Sequence, residues 1–323
     1  ASPAEDYMRI GILGTGAMGQ VHASALAHIA GVQLVAFGTR APAPEGVALA
    51  QQHNARLLSP AELLAQPDID AVVVATPTDT HLPLVQAAAQ TGKHVFCEKP
   101  LARTLAEGVA LIEATDRAGV RLAVGQVVRY FAAYAHAHSA IARGELGSIR
   151  HLSATRGGRF PTVSSGWYAN IARSGGVALD LMIHDFDWAR WCFGPVADVT
   201  VHSPLPHKVV AMLRFASGAS GEIVGSWAET APFRTTFMVE GSAGRLSYDS
   251  WASTPPAAHA SAGVEVPVSS GTDDPYLLQM REAIAWLQGG PAPRATAADA
   301  LEALRISLAA LESLHTSQPV ALG

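Results

Sequence analysis

Asp180, His184 and Asp187 fall at i, i+4 and i+7 in the stretch from Gly175-Gly176 to Gly194-Pro195. Read as one helix, that stretch puts the three polar side chains on one face. The remainder is apolar: Leu179, Leu181, Met182, Ile183, Phe186, Trp188 and Trp191 cover most of its surface. Such a helix is buried on most sides, and buried acids and imidazoles are costly unless paired. Two readings account for the stripe. One is a satisfied internal hydrogen-bond network. The other is an acid/base pair facing a pocket, with a neutral imidazole taking a proton and a carboxylate one turn away orienting it. A second group of residues stands near the start, Gly14-Thr15-Gly16-Ala17-Met18-Gly19. It follows an apolar run from Arg9 and opens a helical pattern over Ala17 to Ala30, which is the context a dinucleotide site requires. Gly14 permits the tight turn, Gly16 lets backbone approach a pyrophosphate, Gly19 lets helix lie on strand, and the helix start offers N–H donors to phosphate.

The elements around that turn alternate. Gln33–Gly38, Ala71–Ala75, His94–Cys97 and Arg121–Val128 read as strands, with helices near Glu45–His53, from Thr78-Asp79 to about Gln90, and from Thr104 to about Ala118. Ser59-Pro60-Ala61-Glu62 and Thr104-Leu105-Ala106-Glu107 are capping boxes. Alternation of this kind predicts a parallel, doubly wound sheet whose ligands bind at the strand carboxyl ends. At the second strand end, Phe37-Gly38-Thr39-Arg40 offers no acid for a ribose 2′-hydroxyl. A hydroxyl followed by a guanidinium suits a 2′-phosphate, which favours NADP over NAD. At the third, Ala75-Thr76-Pro77 leads through a loop to His81 that would pass beside the adenosine or nicotinamide, although His81 reads more simply as a structural loop histidine. After His94–Cys97 comes Glu98-Lys99-Pro100. The residue before a proline is held extended, so Lys99 projects at a fixed angle; on its own it reads as a surface lysine. Gln126 is a further residue expected at the coenzyme.

From Ile149 the pattern changes to strands: Ile149–Arg156, Val196–Ser203, Lys208–Phe215, Gly221–Ala228, Arg234–Glu240 and Gly244–Tyr248. The turns at Ser217–Gly221 and Gly241–Gly244 predict hairpins. The expected fold class is α/β: an N-terminal Rossmann doubly wound parallel sheet over residues 8–128, then a C-terminal α+β domain over 129–323 with a large, mostly antiparallel open sheet. The buried helix would cover one face of that sheet, and Trp227, Phe237 and Met238 are candidates for a subunit interface on it. Residues 251–273 read as an irregular surface loop, Tyr276–Leu287 as a helix, and Thr296–Asp299 as the cap of a last helix to about Leu314, with the C-terminal helices free to pack back on the first domain. Arg156, Trp167 and Tyr168 precede the buried helix and are candidates for a substrate pocket.

Composition bounds the function. The chain has 323 residues, 49% hydrophobic and 15% charged, with a net charge of −5. That is a folded protein with a large core and no polyanion-binding character, so no nucleic-acid partner is expected. No apolar run is long enough to span a membrane. Cys97 and Cys192 both lie in apolar runs, which suits a reducing cytoplasm rather than a disulfide framework. Ala1–Asp6 is a short acidic lead-in and no signal peptide. His136 and His138 straddle one alanine on a predicted helix and point apart, and no other cluster has ligand spacing, so no metal is expected.

Taken together, Gly14-x-Gly16-x-x-Gly19, Ala75-Thr76-Pro77, Glu98-Lys99-Pro100 and Gly175-Gly176 followed by Asp180 and His184 resemble the glucose–fructose oxidoreductase/inositol dehydrogenase/MocA family over nearly the whole chain. The resemblance implies that Lys99 is the active-site lysine and that Asp180 and His184 are the Asp-x-x-x-His pair of the inositol-dehydrogenase-like members. Some members carry Tyr where His184 stands. Asp187 also fits the family pattern, in a role that can be structural. The implied activity is NAD(P)-dependent oxidation of a secondary hydroxyl on a cyclic polyol or sugar, by a homodimer or homotetramer built on the C-terminal sheet. Reduction of a dihydrodiol, sugar ketone or imine on the same scaffold is the nearest alternative. A dinucleotide-binding regulator without turnover is the alternative of another class, which retention of Lys99, Asp180 and His184 opposes.

Overall fold

Ala71–Val74 is buried at all four positions, a pattern that fits only a strand covered on both faces. In the computed structural model it is the fourth strand of the chain and lies inside a six-stranded parallel sheet. The structure describes residues 7–162, 166–252, 257–260, 265–267 and 274–323. Two compact units are present, Ala1–Gln126 with Asp273–Leu301 and Val127–Thr272 with Glu302–Gly323.

In the first unit β1 (Met8–Leu13), β2 (Val32–Gly38), β3 (Arg56–Leu58), β4 (Ala71–Val74), β5 (His94–Cys97) and β6 (Leu122–Val124) take the order β3-β2-β1-β4-β5-β6, every pair parallel. The order reverses between β1 and β4, which opens a crevice at their carboxyl ends. The helices are α1 (Ala17–Leu26), α2 (Pro44–Gln52), α3 (Pro60–Leu64), α4 (His81–Gln90) and α5 (Leu105–Ala118). Alternate strand residues serve opposite faces. Ile10, Ile12, Val73 and Phe96 pack with Ala23 and Leu26 of α1, whereas Leu13, Val72, Val74 and Val95 pack with Val85 of α4 and Leu111 of α5. β3, three residues long, carries too little pattern to be read from sequence.

The second unit opens with α6 (Ala132–Ala142) and β7 (Ile149–Gly157), continues through α7 (Ile171–Ser174) and α8 (Ile183–Phe193), and then runs through β8 (Val196–Leu205), β9 (Lys208–Phe215), β10 (Ser220–Ser226), β11 (Arg234–Gly241), β12 (Gly244–Asp249), β13 (Ala257–Ala260) and β14 (Glu265–Pro267). Two helices follow, α9 (Pro275–Leu287) and α10 (Ala297–Thr316), and β15 (Val320–Ala321) ends the chain. The sheet order is β14-β13-β12-β11-β7-β10-β9-β8-β15. All neighbours are antiparallel except β7 and β10, which are parallel. The β9–β10 and β11–β12 hairpins form as the turn residues predict. β7 stands between β10 and β11, an arrangement no local signal encodes. Within 251–273, expected as an irregular loop, β13 and β14 extend the sheet; the other positions from 253 to 273 lie outside the described residues.

One face of this sheet holds the core. Leu152, Ala154, Ala211, Leu213, Ile223, Phe237 and Val239 pack against Tyr134 of α6 and Phe186, Trp188 and Phe193 of α8. Trp227 and Phe237, expected as interface candidates, belong to this buried cluster, because their register turns them inward. Met238 alternates to the other face, with Val210 and Val224.

The stretch read as one regular helix is two pieces. Val177–Leu181 forms a π-helical turn, and α8 starts only after Met182. The preceding Gly175 and Gly176 both have positive φ, 77° and 66°, which turns the chain sharply into the site. The wide turn seats directly on β10: a Cβ on Gly225 would collide with Met182 and stand 2.8 Å from Val177 Cγ1.

Candidate active site

Gly14 has φ +108°, and a Cβ there would run into the Ala75 carbonyl; a Cβ on Gly19 would run into the Gly14 carbonyl. The turn after β1 is therefore clamped between α1 and the end of β4, and only glycine fits. Gly16 is the N-cap of α1 and supplies no side-chain cap, and no acid stands in the first turn. A Cβ on Gly16 would meet nothing within 4 Å. The start of α1 is thus exposed at Gly16 and Ala17, where a helix N-terminus can seat a pyrophosphate. Thr15, Ala17 and Met18 complete this turn. A dinucleotide fits the residues present.

At the end of β2, the Thr39 N–H donates to Leu58 O at 2.9 Å and its hydroxyl to Ala41 O at 3.2 Å. Arg40 beside it is exposed. At the end of β4, the Thr80 hydroxyl sits 2.7 Å from the Thr76 hydroxyl, which fastens the loop that Ala75, Thr76 and Pro77 begin. His81 is fully buried. Its Nδ1 lies 2.9 Å from Pro100 O and its Nε2 2.9 Å from Thr76 O, so it ties the loop after β4 to the loop after β5. Burial lowers its pKa, against the pull of those carbonyls and of Glu98. Gln126, 1% exposed, follows β6.

Glu98 and Lys99 follow β5, and the Lys99–Pro100 peptide bond is cis. The Glu98 carboxylate accepts the Lys99 backbone N–H at 2.9 Å and lies 2.7 Å from His22 Nε2 of α1. Burial pushes the Glu98 pKa up, but the His22 hydrogen bond and charge, the Lys99 ammonium and the Lys99 N–H outweigh it and leave the carboxyl below its ordinary value. Burial drives the neighbouring Cys97 thiol well up, so it stays protonated. Sequence reasoning missed His22. The visible signal was a histidine three residues after Gly19, on the apolar side of α1.

In the second unit, Asp180 sits in the π-helical turn, 7% exposed, and His184 in the first turn of α8 is half-buried. The stripe divides here. Asp187 is taken by Arg129, whose Nε and second guanidinium nitrogen donate to its two oxygens at 2.8 and 2.6 Å, both residues 1% exposed. Asp185, outside the predicted stripe, holds Arg156 in the same two-point manner at 2.8 and 3.0 Å. The Arg156 guanidinium also reaches the Tyr134 hydroxyl at 3.3 Å, and burial raises that phenol to about 12. Both pairs fix α8 to its neighbours: Arg129 comes from the 3₁₀ turn Val127–Tyr130 and Arg156 from β7. Trp167 and Tyr168 share a 3₁₀ turn with ring centroids 4.6 Å apart, and Tyr168 meets Trp227 edge-on at 5.7 Å. The predicted residues therefore form two sets. The glycine turn, Thr39-Arg40, the Ala75–His81 loop, Glu98, Lys99 and Gln126 belong to the first unit; Arg156, Trp167, Tyr168, Asp180 and His184 belong to the second. Among the described residues no group of His, Cys, Asp and Glu has metal-holding geometry.

Residues 8–126 match the family described as an oxidoreductase family with an NAD-binding Rossmann fold, and residues 134–247 match the Gfo/Idh/MocA C-terminal domain. Myo-inositol 2-dehydrogenase of Thermotoga maritima is 31% identical, over 98% of each chain. The scyllo-inositol 2-dehydrogenase (NAD(+)) of Bacillus subtilis is 29% identical over 98% of this chain and 97% of its own. The crystal structure of a putative myo-inositol dehydrogenase from Sinorhizobium meliloti superposes with a TM-score of 0.84 at 27% identity, over 98% of this chain and 100% of the other. With two domains of the family matched over residues 8–126 and 134–247 and a relative 31% identical over 98% of each chain, the chain belongs to the Gfo/Idh/MocA family of oxidoreductases.

Proposed function

We propose that this protein is an NAD(P)-dependent dehydrogenase that oxidises a secondary hydroxyl of a cyclic polyol or sugar of the inositol or aldose type. The observation that carries this reading is identity of about 30% over 98% of the chain with proteins named inositol dehydrogenases, and the presence of Lys99, Asp180 and His184 together in this sequence supports it. In this reading the first turn of α1 holds the pyrophosphate, and the loops after β4 and β5 flank the rest of the coenzyme. A nicotinamide coenzyme held there would supply the acceptor for the hydride that leaves the substrate carbon. His184 removes the hydroxyl proton as general base. Asp180 orients the imidazole and stabilises its protonated form, and Lys99 presents a positive charge to the oxygen as it develops negative charge. In reduction, the same residues return the proton.

Arg40 supports NADP as the preferred coenzyme, since β2 ends without an acid and with an exposed guanidinium. Cys97 and Cys192 are free thiols, which fits a cytoplasmic protein. Val210, Met212, Val224 and Met238, on the sheet face away from the core, support a homodimer or homotetramer formed through that face.

The decisive experiment is initial-rate reduction of NAD and NADP, measured separately, over inositols, aldoses and anhydrosugars. Turnover of a cyclic polyol or sugar with either coenzyme is expected. Coenzyme binding with no turnover on any of these, or on the corresponding ketones in the reverse direction, would overturn the assignment.

A further inference from the structure

We propose that His22 is a positioning residue for Lys99: it fixes the buried Glu98 carboxylate, and through that carboxylate both the backbone and the charge of the lysine. The proposal rests on reading Lys99 as the group that meets the reacting oxygen.

His22 is fully buried on α1, the helix whose first turn forms the phosphate seat. Its Nε2 lies 2.7 Å from Glu98 Oε1, and Glu98 Oε2 accepts the Lys99 N–H at 2.9 Å. An ionised carboxylate can only accept, so His22 Nε2 carries the hydrogen. The imidazole is held edge-on against Phe96 of β5, centroids 5.0 Å apart. The carboxylate is enclosed from the other side by Gly125, where a Cβ would stand 2.9 Å from Oε2. One carboxylate therefore joins α1 to the peptide that carries Lys99, so the coenzyme seat and the lysine share a rigid bridge.

The titratable groups facing Glu98 are His22 from α1, His81 from α4, Cys97 from β5 and Lys99 itself. Burial pushes His81 down, against its carbonyl contacts, and pushes Cys97 up. Glu98 places a negative charge beside the lysine, and ionisation of a group this buried depends on its partners. Without His22, the carboxyl takes up a proton, and its negative charge beside the lysine ammonium is lost.

The test reads Lys99 directly, in the full chain without coenzyme. Trace acetylation with acetic anhydride, followed peptide by peptide by mass spectrometry across pH, gives the titration of Lys99. His22→Leu and Glu98→Gln are each expected to move that titration down by about one unit, making acetylation at a fixed mildly alkaline pH about tenfold faster. The double variant is expected to add nothing, because both changes act through one carboxylate. His22→Gln, which keeps a donor at the Nε2 position, is expected to restore the wild-type titration. The alkaline limb of the kcat profile is expected to move with it. An unchanged Lys99 titration in a folded His22→Leu or Glu98→Gln protein, or additive shifts in the double variant, would overturn the proposal. Should His22→Leu fail to fold, Glu98→Gln decides alone, since it preserves size and the contact to the Lys99 N–H. Full turnover by Lys99→Met would defeat the catalytic reading instead, and the acetylation result would stand apart from it.

Discussion

At the scale of single residues, the candidate site divides by what each side chain could be read from. The glycine turn was legible because its demands are local: a positive φ at Gly14 and a helix pressed onto a carbonyl at Gly19 leave no other residue possible. Lys99 was legible only through the family resemblance, since by its place at a strand end alone it reads as a surface lysine. His22 was not, because its partner Glu98 lies 76 residues away and nothing in the local pattern distinguishes a ligating histidine from a core one. The roles proposed for Lys99 and His184 predict different losses. Lys99→Met should lower kcat by about 10²–10³-fold, the usual loss for removing a group that stabilises a developing oxyanion. His184→Ala should lower kcat by about 10²–10⁴-fold and remove the acidic limb of its pH profile, as loss of a general base does. In both variants coenzyme affinity, read by fluorescence titration, should stay near wild type; undiminished kcat in either would remove that residue from the mechanism. Arg40 gives an independent check. If its guanidinium binds a 2′-phosphate, Arg40→Ala should weaken NADP about tenfold or more and leave NAD unchanged, since a charge-assisted contact is worth about 1.5–3 kcal/mol. Equal effects on both coenzymes would reassign Arg40 to a solvated loop.

At the scale of elements, the capping residues marked helix starts well. Ser59 and Glu62 cap each other's backbone reciprocally, as do Thr296 and Asp299. Thr104 caps Glu107, but the Glu107 carboxylate reaches Arg103 N–H instead, a one-residue slip that sequence spacing cannot show. The greater departure is in the stretch that carries Asp180 and His184. Its apolar surface correctly implied burial, but the 3.6-residue period concealed a π-helical turn. That turn depends on Gly225 of a distant strand, and π turns of this kind recur at functional positions. Of the polar stripe, Asp187 is bound to Arg129, and Asp185, off the stripe, holds Arg156. These pairs lock α8 at both flanks, so Asp187→Asn, which takes the carboxylate charge from a buried guanidinium, should destabilise the second unit by about 3–5 kcal/mol. Denaturant melts followed by the tryptophans of that unit measure this. A loss below about 1 kcal/mol, the range of exposed pairs, would show that the pair does not hold the helix.

At the scale of the whole chain, the class of each sheet was legible and the strand order was not. Alternating strands and helices imply a parallel sheet, but only tertiary packing sends β7 between β10 and β11, or brings Met280 and Ile284 of α9 into the core beneath β1. The same packing sets how stability depends on pH, because it buries titratable groups that local sequence leaves unmarked. Burial lowers the pKa of His81, His94 and His136. A base whose folded pKa lies below its unfolded value binds fewer protons when folded. Its contribution is complete above the unfolded value near 6.5 and is lost as pH falls below it. Burial alone would raise Glu98 and Asp70, but their His22 and Arg9 partners outweigh it and hold both below their ordinary values. Their contribution is present above the unfolded values of 4.5 and 3.8 and is lost as pH falls further, toward the folded ones. Both sets act in the same direction. Scanning calorimetry from pH 8 to pH 4 should therefore show Tm falling in two stages, first below the ordinary histidine value and again below the ordinary carboxylate values. His94→Asn, which removes one of the three histidine titrations, should reduce the first stage and leave the second in place. A Tm that stays level or rises between pH 7 and pH 5 would mean that these histidines are charged within the fold, and that the contacts around His81 in particular stabilise an imidazolium between its two carbonyls.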